Sequence, residues 1–260
     1  MTRKLHTFSK QIIIFSIFYI ISSYAFADYG HIYLGGIVGK SNANIGNTNN
    51  EIIYYNGSLV DKYPTQQRNA HAMIAGINSG YEFSDPDSAL AMAVGLGLYG
   101  TPGSAYGYSG QVIETTPSNP DAGDILYNYK YNIRSTRLMG EARLSWLLGY
   151  FVPFIDLGLG ATWNHMTGYQ ELPFSFPGYT ALPPFQSKTN THFAYQAGFG
   201  VGFAFDSNAA EIRRERISLG YRFVNLGDAS YGTRGSAYPY PFKTGKLKTQ
   251  EIYLIYTWLF

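Results

Sequence analysis

The chain contains no cysteine, so disulfide staples and thiolate metal centres are excluded before any fold is considered. It is also short of charge. Asp, Glu, Lys and Arg make up 14% of its 260 residues, against about 25% in an ordinary soluble domain. The basic residues form no concentrated patch, which excludes nucleic acid as a partner. Nor does any uninterrupted apolar run reach the roughly 20 residues that a membrane-spanning helix needs. Residues 144–163 come closest. There Pro153 would cost a helix one hydrogen bond and introduce a clash, and Asp156, Gly149, Gly158 and Gly160 break the rest.

Aromatic side chains are in excess, at 17% of the chain, and glycine is frequent, with 29 residues. The N-terminal stretch stands apart from both features. Arg3, Lys4 and Lys10 make a basic start, residues 12–21 are apolar except for Ser16 and Tyr19, and Ala25-Phe26-Ala27 offers a small–x–small cleavage site. Those three parts predict a cleaved secretion signal over 1–27 and a single domain over 28–260. Losing Arg3, Lys4 and Lys10 takes the 19 Lys and Arg to 16, against 17 Asp and Glu, a net charge of −1.

Period-two alternation decides the fold class. Phe193, Tyr195, Ala197, Phe199, Val201, Phe203 and Phe205 share one face, and His192, Ala194, Gln196, Gly198, Gly200, Gly202 and Ala204 the other. Ile155, Leu157, Leu159, Ala161 and Trp163 alternate in the same way with Asp156, Gly158, Gly160, Thr162 and Asn164. Leu90, Met92, Val94, Leu96 and Leu98 alternate with Ala91, Ala93, Gly95, Gly97 and Tyr99. Continued along the chain, the pattern predicts eight strands at 29–41, 69–84, 88–101, 131–147, 151–165, 191–206, 213–228 and 247–260. Their connections alternate between short (85–87, 148–150, 207–212) and long polar ones (42–68, 102–130, 166–190, 229–246). Short turns on one side and long loops on the other belong to transmembrane barrels. Lipid also forbids an open sheet edge. The expected fold is therefore all-β: a closed antiparallel up-and-down transmembrane β-barrel of eight strands with long extracellular loops.

In the final strand Ile252, Leu254, Tyr256, Trp258 and Phe260 alternate outward and end on an aromatic. Tyr256, Trp258 and Phe260 look like the C-terminal insertion signature read by the barrel-assembly machinery. With the signal and the four long loops, the chain resembles the small eight-stranded bacterial outer-membrane barrels, the opacity-type surface proteins and the OmpA-like membrane domain. The resemblance is architectural and spans residues 28–260. It implies an outer-membrane location, contact with outer-membrane lipid and lipopolysaccharide, and no cofactor.

The inward face carries the remaining charge. Glu82, Arg137, Glu141, Arg143, Asp156, Arg222 and Glu251 fall there, with Asn78 and Gln196. A bore of eight strands is only wide enough for side chains to fill, and buried charges must pair. One reading is a polar plug of ion pairs. The other is a gate or narrow pore, because glycines at 95, 97, 158, 160, 198, 200 and 202 would leave volume. Barrel enzymes resembling lipid A deacylases or acyltransferases gather a His, a Ser and a carboxylate at the membrane edge. Here His31, His71, His165 and His192 occur in no such arrangement, with no carboxylate pair or third metal ligand beside His165 and His192. The expectation is thus no enzyme and no metal.

Aromatic girdles are expected at the two membrane boundaries. Tyr81, Phe83, Trp146, Phe151, Phe203, Phe205, Trp258 and Phe260 would lie at the inner one, and Tyr99, Trp163, Phe193 and Tyr195 at the outer. The loops hold Tyr54, Tyr55, Tyr63, Tyr106, Tyr108, Tyr127, Tyr129, Phe174, Phe176, Tyr179, Phe185, Tyr231, Tyr238 and Tyr240 among Gly, Ser, Asn and Pro, a composition suited to adaptable recognition. Arg234, Lys243, Lys246 and Lys248 are candidates for lipopolysaccharide phosphates. The functional expectation is a non-enzymatic surface barrel with an envelope-structural role and loops that recognise a host or surface ligand. The alternatives are a narrow porin-like channel for small or apolar solutes and, behind it, a lipid A-modifying enzyme.

Overall fold

Segments with one bulky apolar face and one small or polar face pair as strands, because each then offers one side to a partner layer and the other to its surroundings. The computed structural model describes residues 30–46, 51–54, 59–84, 88–116, 118–174, 185–205, 215–233 and 242–260. The expected signal over 1–27, the turns at 85–87 and 207–212, and Arg234 lie outside them. In chain order the strands are β1 (Gly30–Asn44), β2 (Glu51–Tyr54), β3 (Leu59–Lys62), β4 (Thr65–Gln67), β5 (Asn69–Ser84), β6 (Leu90–Gly100) and β7 (Tyr106–Thr116). They continue with β8 (Asn119–Trp146), β9 (Phe151–Pro173), β10 (Phe185–Gln186), β11 (Lys188–Phe205), β12 (Glu215–Asn225), β13 (Gly232–Thr233) and β14 (Lys248–Leu259).

Eight of these, β1, β5, β6, β8, β9, β11, β12 and β14, pair antiparallel in sequence order. The ring closes where β14 pairs β1, from Tyr33↔Leu259 to Asn44↔Lys248. Register gives the stagger directly. From Tyr33 the partners run Gly80, Gly95, Glu141, Gly158, Gln196, Val224 and Thr249, and return to β1 at Ala43, ten residues further along. Closure with a fixed stagger tilts the strands and leaves no edge unpaired. Residues 151–163, part of the stretch a hydropathy window would read as a helix, are extended in β9.

The outside of the ring is apolar. Leu96, Leu157, Leu159, Ile252, Phe199, Ile77, Met73, Ile32 and Val38 are all more than half exposed. A continuous exposed apolar band has no place in water, where such patches are rarely larger than a few hundred Å², and is what lipid requires. The chain is a transmembrane β-barrel of the outer-membrane type. At the inner boundary Phe151, Phe203, Phe205, Tyr81, Trp258 and Phe260 point outward. Two girdle expectations are corrected. Tyr99 is buried inside the bore, on the same face as Ala91, Ala93, Gly95 and Gly97, and Phe83 is buried against Tyr81, ring centroids 4.8 Å apart.

The long connections are built differently from expectation. β8 begins twelve residues before the expected 131, and β9 runs eight beyond the expected 165. β7 lies within the supposed loop 102–130 and pairs β8 from Tyr106↔Ile133 upward. β3 and β4 pair β7 in turn, and β10 pairs β13. The wall thus continues past the apolar belt as a collar.

Candidate functional site

Two different fillings occupy one bore. In the membrane-spanning part the inward residues are polar. Arg137 donates through both Nη1 and Nη2 to Glu251, at 2.9 and 2.6 Å, and Arg222 donates through Nε to the same carboxylate at 2.6 Å. Glu251 is fully buried. Both guanidiniums lie over the Tyr99 ring, at 4.8 and 4.3 Å, and Arg222 also lies over Tyr253 at 4.6 Å. Glu141 accepts from Tyr99 and from Gln196 Nε2, and Asp156 accepts from Tyr253 at 2.8 Å. Towards the short-turn end Arg216 makes a two-pronged bond to Glu82, both contacts 3.0 Å. Arg143 rests on Phe154 at 4.3 Å.

The structure therefore places Glu82, Arg137, Glu141, Arg143, Asp156, Arg222 and Glu251 all within the bore, and joins Arg137, Glu251 and Arg222 directly. Arg216 completes the set and was missed, although its even number shares the face of Arg222 on β12. With it, four arginines face four carboxylates. Neutral pairing is what makes charge tolerable in a buried space. The aromatic members, Tyr33, Tyr99, Phe154 and Tyr253, were missed because the inward face was expected to hold only small and polar groups. They also correct the idea that glycine leaves open volume. A Cβ at Gly76 or Gly97 would meet Tyr99, one at Gly220 would meet Tyr253, and one at Gly200 would meet Phe154. These four glycines are recesses into which the rings fit, while at Gly158, Gly198 and Gly202 the space is taken by Gln196, by Arg222 and Asp156, and by Ser218 and Arg216. A polar cavity of about 20 Å³ lies among Tyr33, Asn78, Glu82, Glu141, Arg143, Asp156 and Arg216; that is room for about one water.

Beyond the belt, on the collar side, the filling is apolar. Tyr63, Tyr106, Tyr108, Tyr129, Tyr131, Tyr169, Phe185, Tyr231 and Phe242 form one buried cluster with Ile45, Val112, Ile133, Met166, Val224, Leu226 and Leu247. Tyr131 packs edge-on to Phe242 at 5.3 Å and Tyr169 to Phe185 at 4.8 Å. This corrects the recognition-surface expectation for Tyr63, Tyr106, Tyr108, Tyr129, Phe185 and Tyr231, which are inside. Tyr127 is partly buried against the cluster, and Phe174 is exposed. Tyr55, Phe176, Tyr179, Tyr238 and Tyr240 lie outside the described residues.

The inversion has a physical cause. Inside the membrane, lipid accepts the apolar wall, so the bore can be polar. In the collar the wall faces water, and outward residues such as Gln67, Asn128, Lys130, Arg134 and Gln170 are polar; the interior must then supply the hydrophobic stabilisation.

The histidines do not converge. His165 Nδ1 lies 2.8 Å from Thr189 Oγ1, and His192 Nε2 lies 2.7 Å from Asp228 Oδ1. A single carboxylate, Asp228, thus lies beside His192. Lys243, Lys246 and Lys248 are exposed on the approach to β14. Tyr256 and Trp258 both donate to Glu215, at 2.8 and 3.3 Å, on the outer wall.

No protein-family model matches the chain, and no curated protein matches it either. Among solved structures it is similar to Neisserial surface protein A, with 11% identity and a TM-score of 0.43 over 90% of this chain and 100% of that one. The outer membrane protease OmpT from Escherichia coli follows, with 9% identity and a TM-score of 0.41 over 89% and 96%. Ail, the attachment invasion locus protein of Yersinia pestis, gives 13% identity and a TM-score of 0.33 over 88% and 99%. The assignment of the fold rests on the closed pairing of the chain itself.

Proposed function

We propose that this chain is a closed, non-enzymatic surface barrel that strengthens the outer membrane and presents the outer face of its collar to a host or surface ligand. The observation that carries the reading is the double filling of the bore. A neutral arginine–carboxylate lattice occupies the membrane level, and a tyrosine core closes the level above it. A narrow channel for small or apolar solutes would have to pass both, and the polar cavity beside Glu82, Glu141 and Arg216 in the lower of the two holds about one water. A lipid A-modifying enzyme would need His, Ser and carboxylate in one constellation; His165 is instead engaged by Thr189, and His192 by Asp228. Assembly through Tyr256, Trp258 and Phe260, and contact of Lys243, Lys246 and Lys248 with lipopolysaccharide phosphates, belong to the same proposal.

Planar-bilayer recording tests it. The purified barrel is expected to be silent. Reproducible single-channel steps that change with Arg137→Ala or Glu141→Ala would sink the closed reading. Removing 166–190 is a poor test of adhesion, since it takes Met166, Tyr169 and Phe185 out of the collar core. Substituting the exposed Leu172 and Phe174 by Ser is cleaner. Whole-cell adhesion that falls while the barrel stays folded supports a recognition surface there.

A further inference from the structure

The polar cavity inside the bore is not balanced in charge. Its lining carries three carboxylates, Glu82, Glu141 and Asp156, against two guanidiniums, Arg143 and Arg216. Glu82 and Arg216 satisfy each other, and the Arg143 guanidinium lies on the Phe154 ring. One negative charge is in excess at this level. The positive charge that balances it belongs to the Arg137–Glu251–Arg222 group further up the bore, where it is shared with the rings of Tyr99 and Tyr253.

Register brings three oxygen-bearing side chains of the lining to one height. Asn78 shares a row with Gly97 and Met139, and Glu141 shares one with Gly158. The stagger raises each row towards the collar by about one residue per strand. Glu141 on β8 and Asp156 on β9 therefore fall level with Asn78 on β5. Asn78 and Asp156 are 4% and 6% exposed, and Oδ1 of each has no hydrogen-bond partner among the described residues. Both atoms project into the bore in front of glycines, 2.2 Å from where a Cβ on Gly35 would stand and 2.8 Å from one on Gly198. Asp156 accepts from Tyr253 on its other oxygen, and Glu141 accepts from Tyr99 and Gln196 on Oε1 alone. A buried acceptor without a donor is costly, so the group is complementary to a donor or a cation. Size and charge narrow the class. Among the described residues no three His, Cys, Asp or Glu side chains converge to hold a metal. Magnesium keeps several waters and calcium takes about six to eight oxygens, whereas about 20 Å³ admits one body the size of a water. A water would bring no charge.

We propose that Asn78, Glu141 and Asp156 bind one dehydrated monovalent cation of about the size of water, the class of potassium and ammonium. Crystals of the full-length folded barrel soaked in thallium(I) acetate, a heavy mimic of potassium, are expected to show an anomalous peak in contact with Asn78 Oδ1 and Asp156 Oδ1. In detergent, the urea midpoint is expected to rise with the logarithm of potassium acetate concentration, at an ionic strength held constant with N-methylglucamine acetate, whose cation is too large to enter. Asp156→Asn and Asn78→Leu are expected to lose both the peak and the potassium dependence. Glu114→Gln, which removes a carboxylate from the collar, is expected to keep both. Ammonium acetate separates the members of the class: a larger shift than potassium gives assigns the site to a hydrogen-bonding cation, a smaller one to an alkali ion. A cavity without anomalous signal would overturn the site. So would a potassium dependence that survives in both cavity variants or disappears in Glu114→Gln, either of which would mean diffuse surface charge. Heat-dependent gel mobility shows which variants are folded, and either cavity variant is sufficient by itself.

Discussion

Glu251 is the residue on which the bore depends most directly, because it accepts from both Arg137 and Arg222. Glu251→Gln removes the charge and leaves two buried guanidiniums facing a neutral amide. The expected cost is about 3–5 kcal/mol, the usual result of breaking one side of a buried pair, read as a lower urea midpoint for the barrel in detergent. Changing Arg137 and Glu251 together to apolar residues of similar size is expected to cost less than Glu251→Gln alone. Gly200 is a second sensitive position. Its missing side chain makes room for Phe154 and lies against the backbone of Leu219 and Gly220. Backbone cannot step aside as a flexible side chain can, so Gly200→Ala is expected to lower the folded fraction on an unheated gel, whereas alanine at Gly36, with nothing near it, is expected to leave it unchanged. At this scale much was legible. Alternation alone put seven of the eight bore charges on one face, and the eighth, Arg216, obeyed the same rule. Alternation could not reveal the recesses, because a glycine facing inward reads as empty until the ring from a neighbouring strand is seen in it.

The collar is where the elements departed from expectation. β8 spans 28 residues, and its upper half pairs β7 and β9 through register shifts between Val112 and Ile113 and between Lys130 and Asn132. Each bulge resets which face a residue takes, so a strict period of two loses its phase there and the segment looks like a loop. Phe242 touches Tyr63, Tyr129, Tyr131, Tyr169, Phe185 and Tyr231. Phe242→Ala is expected to cost the collar about 3–5 kcal/mol, seen as faster amide exchange over 106–133 with the heat-dependent mobility of the barrel retained. Acid should act in the opposite sense. Burial, with Glu114 directly across the ladder and Glu171 nearby, pushes the Asp61 carboxyl from 3.8 up to about 7. Between those values the folded collar holds a proton that the unfolded chain does not, so stability falls as pH rises through the window. Exchange in β3 and β7, corrected for intrinsic rates, is expected to be slower near pH 5 than near pH 8, and Asp61→Asn should remove the difference.

For the whole molecule, the sequence by itself determined the class, the strand count and the two faces of the wall. Lipid outside and no free edge leave a closed even-numbered ring as the solution for eight alternating segments. Only the tertiary structure decided which groups share the interior. Arg137 and Glu251 are 114 positions apart, and alternation gives a side chain its face but never its neighbour. The neighbour is set by closure of β14 on β1 and the ten-residue stagger round the ring, which brings the rings of Tyr99 and Tyr253 and the guanidiniums to one level. The same closure turns the collar's tyrosines from a surface composition into a core. Water outside the collar demands an apolar interior, and lipid outside the belt does not.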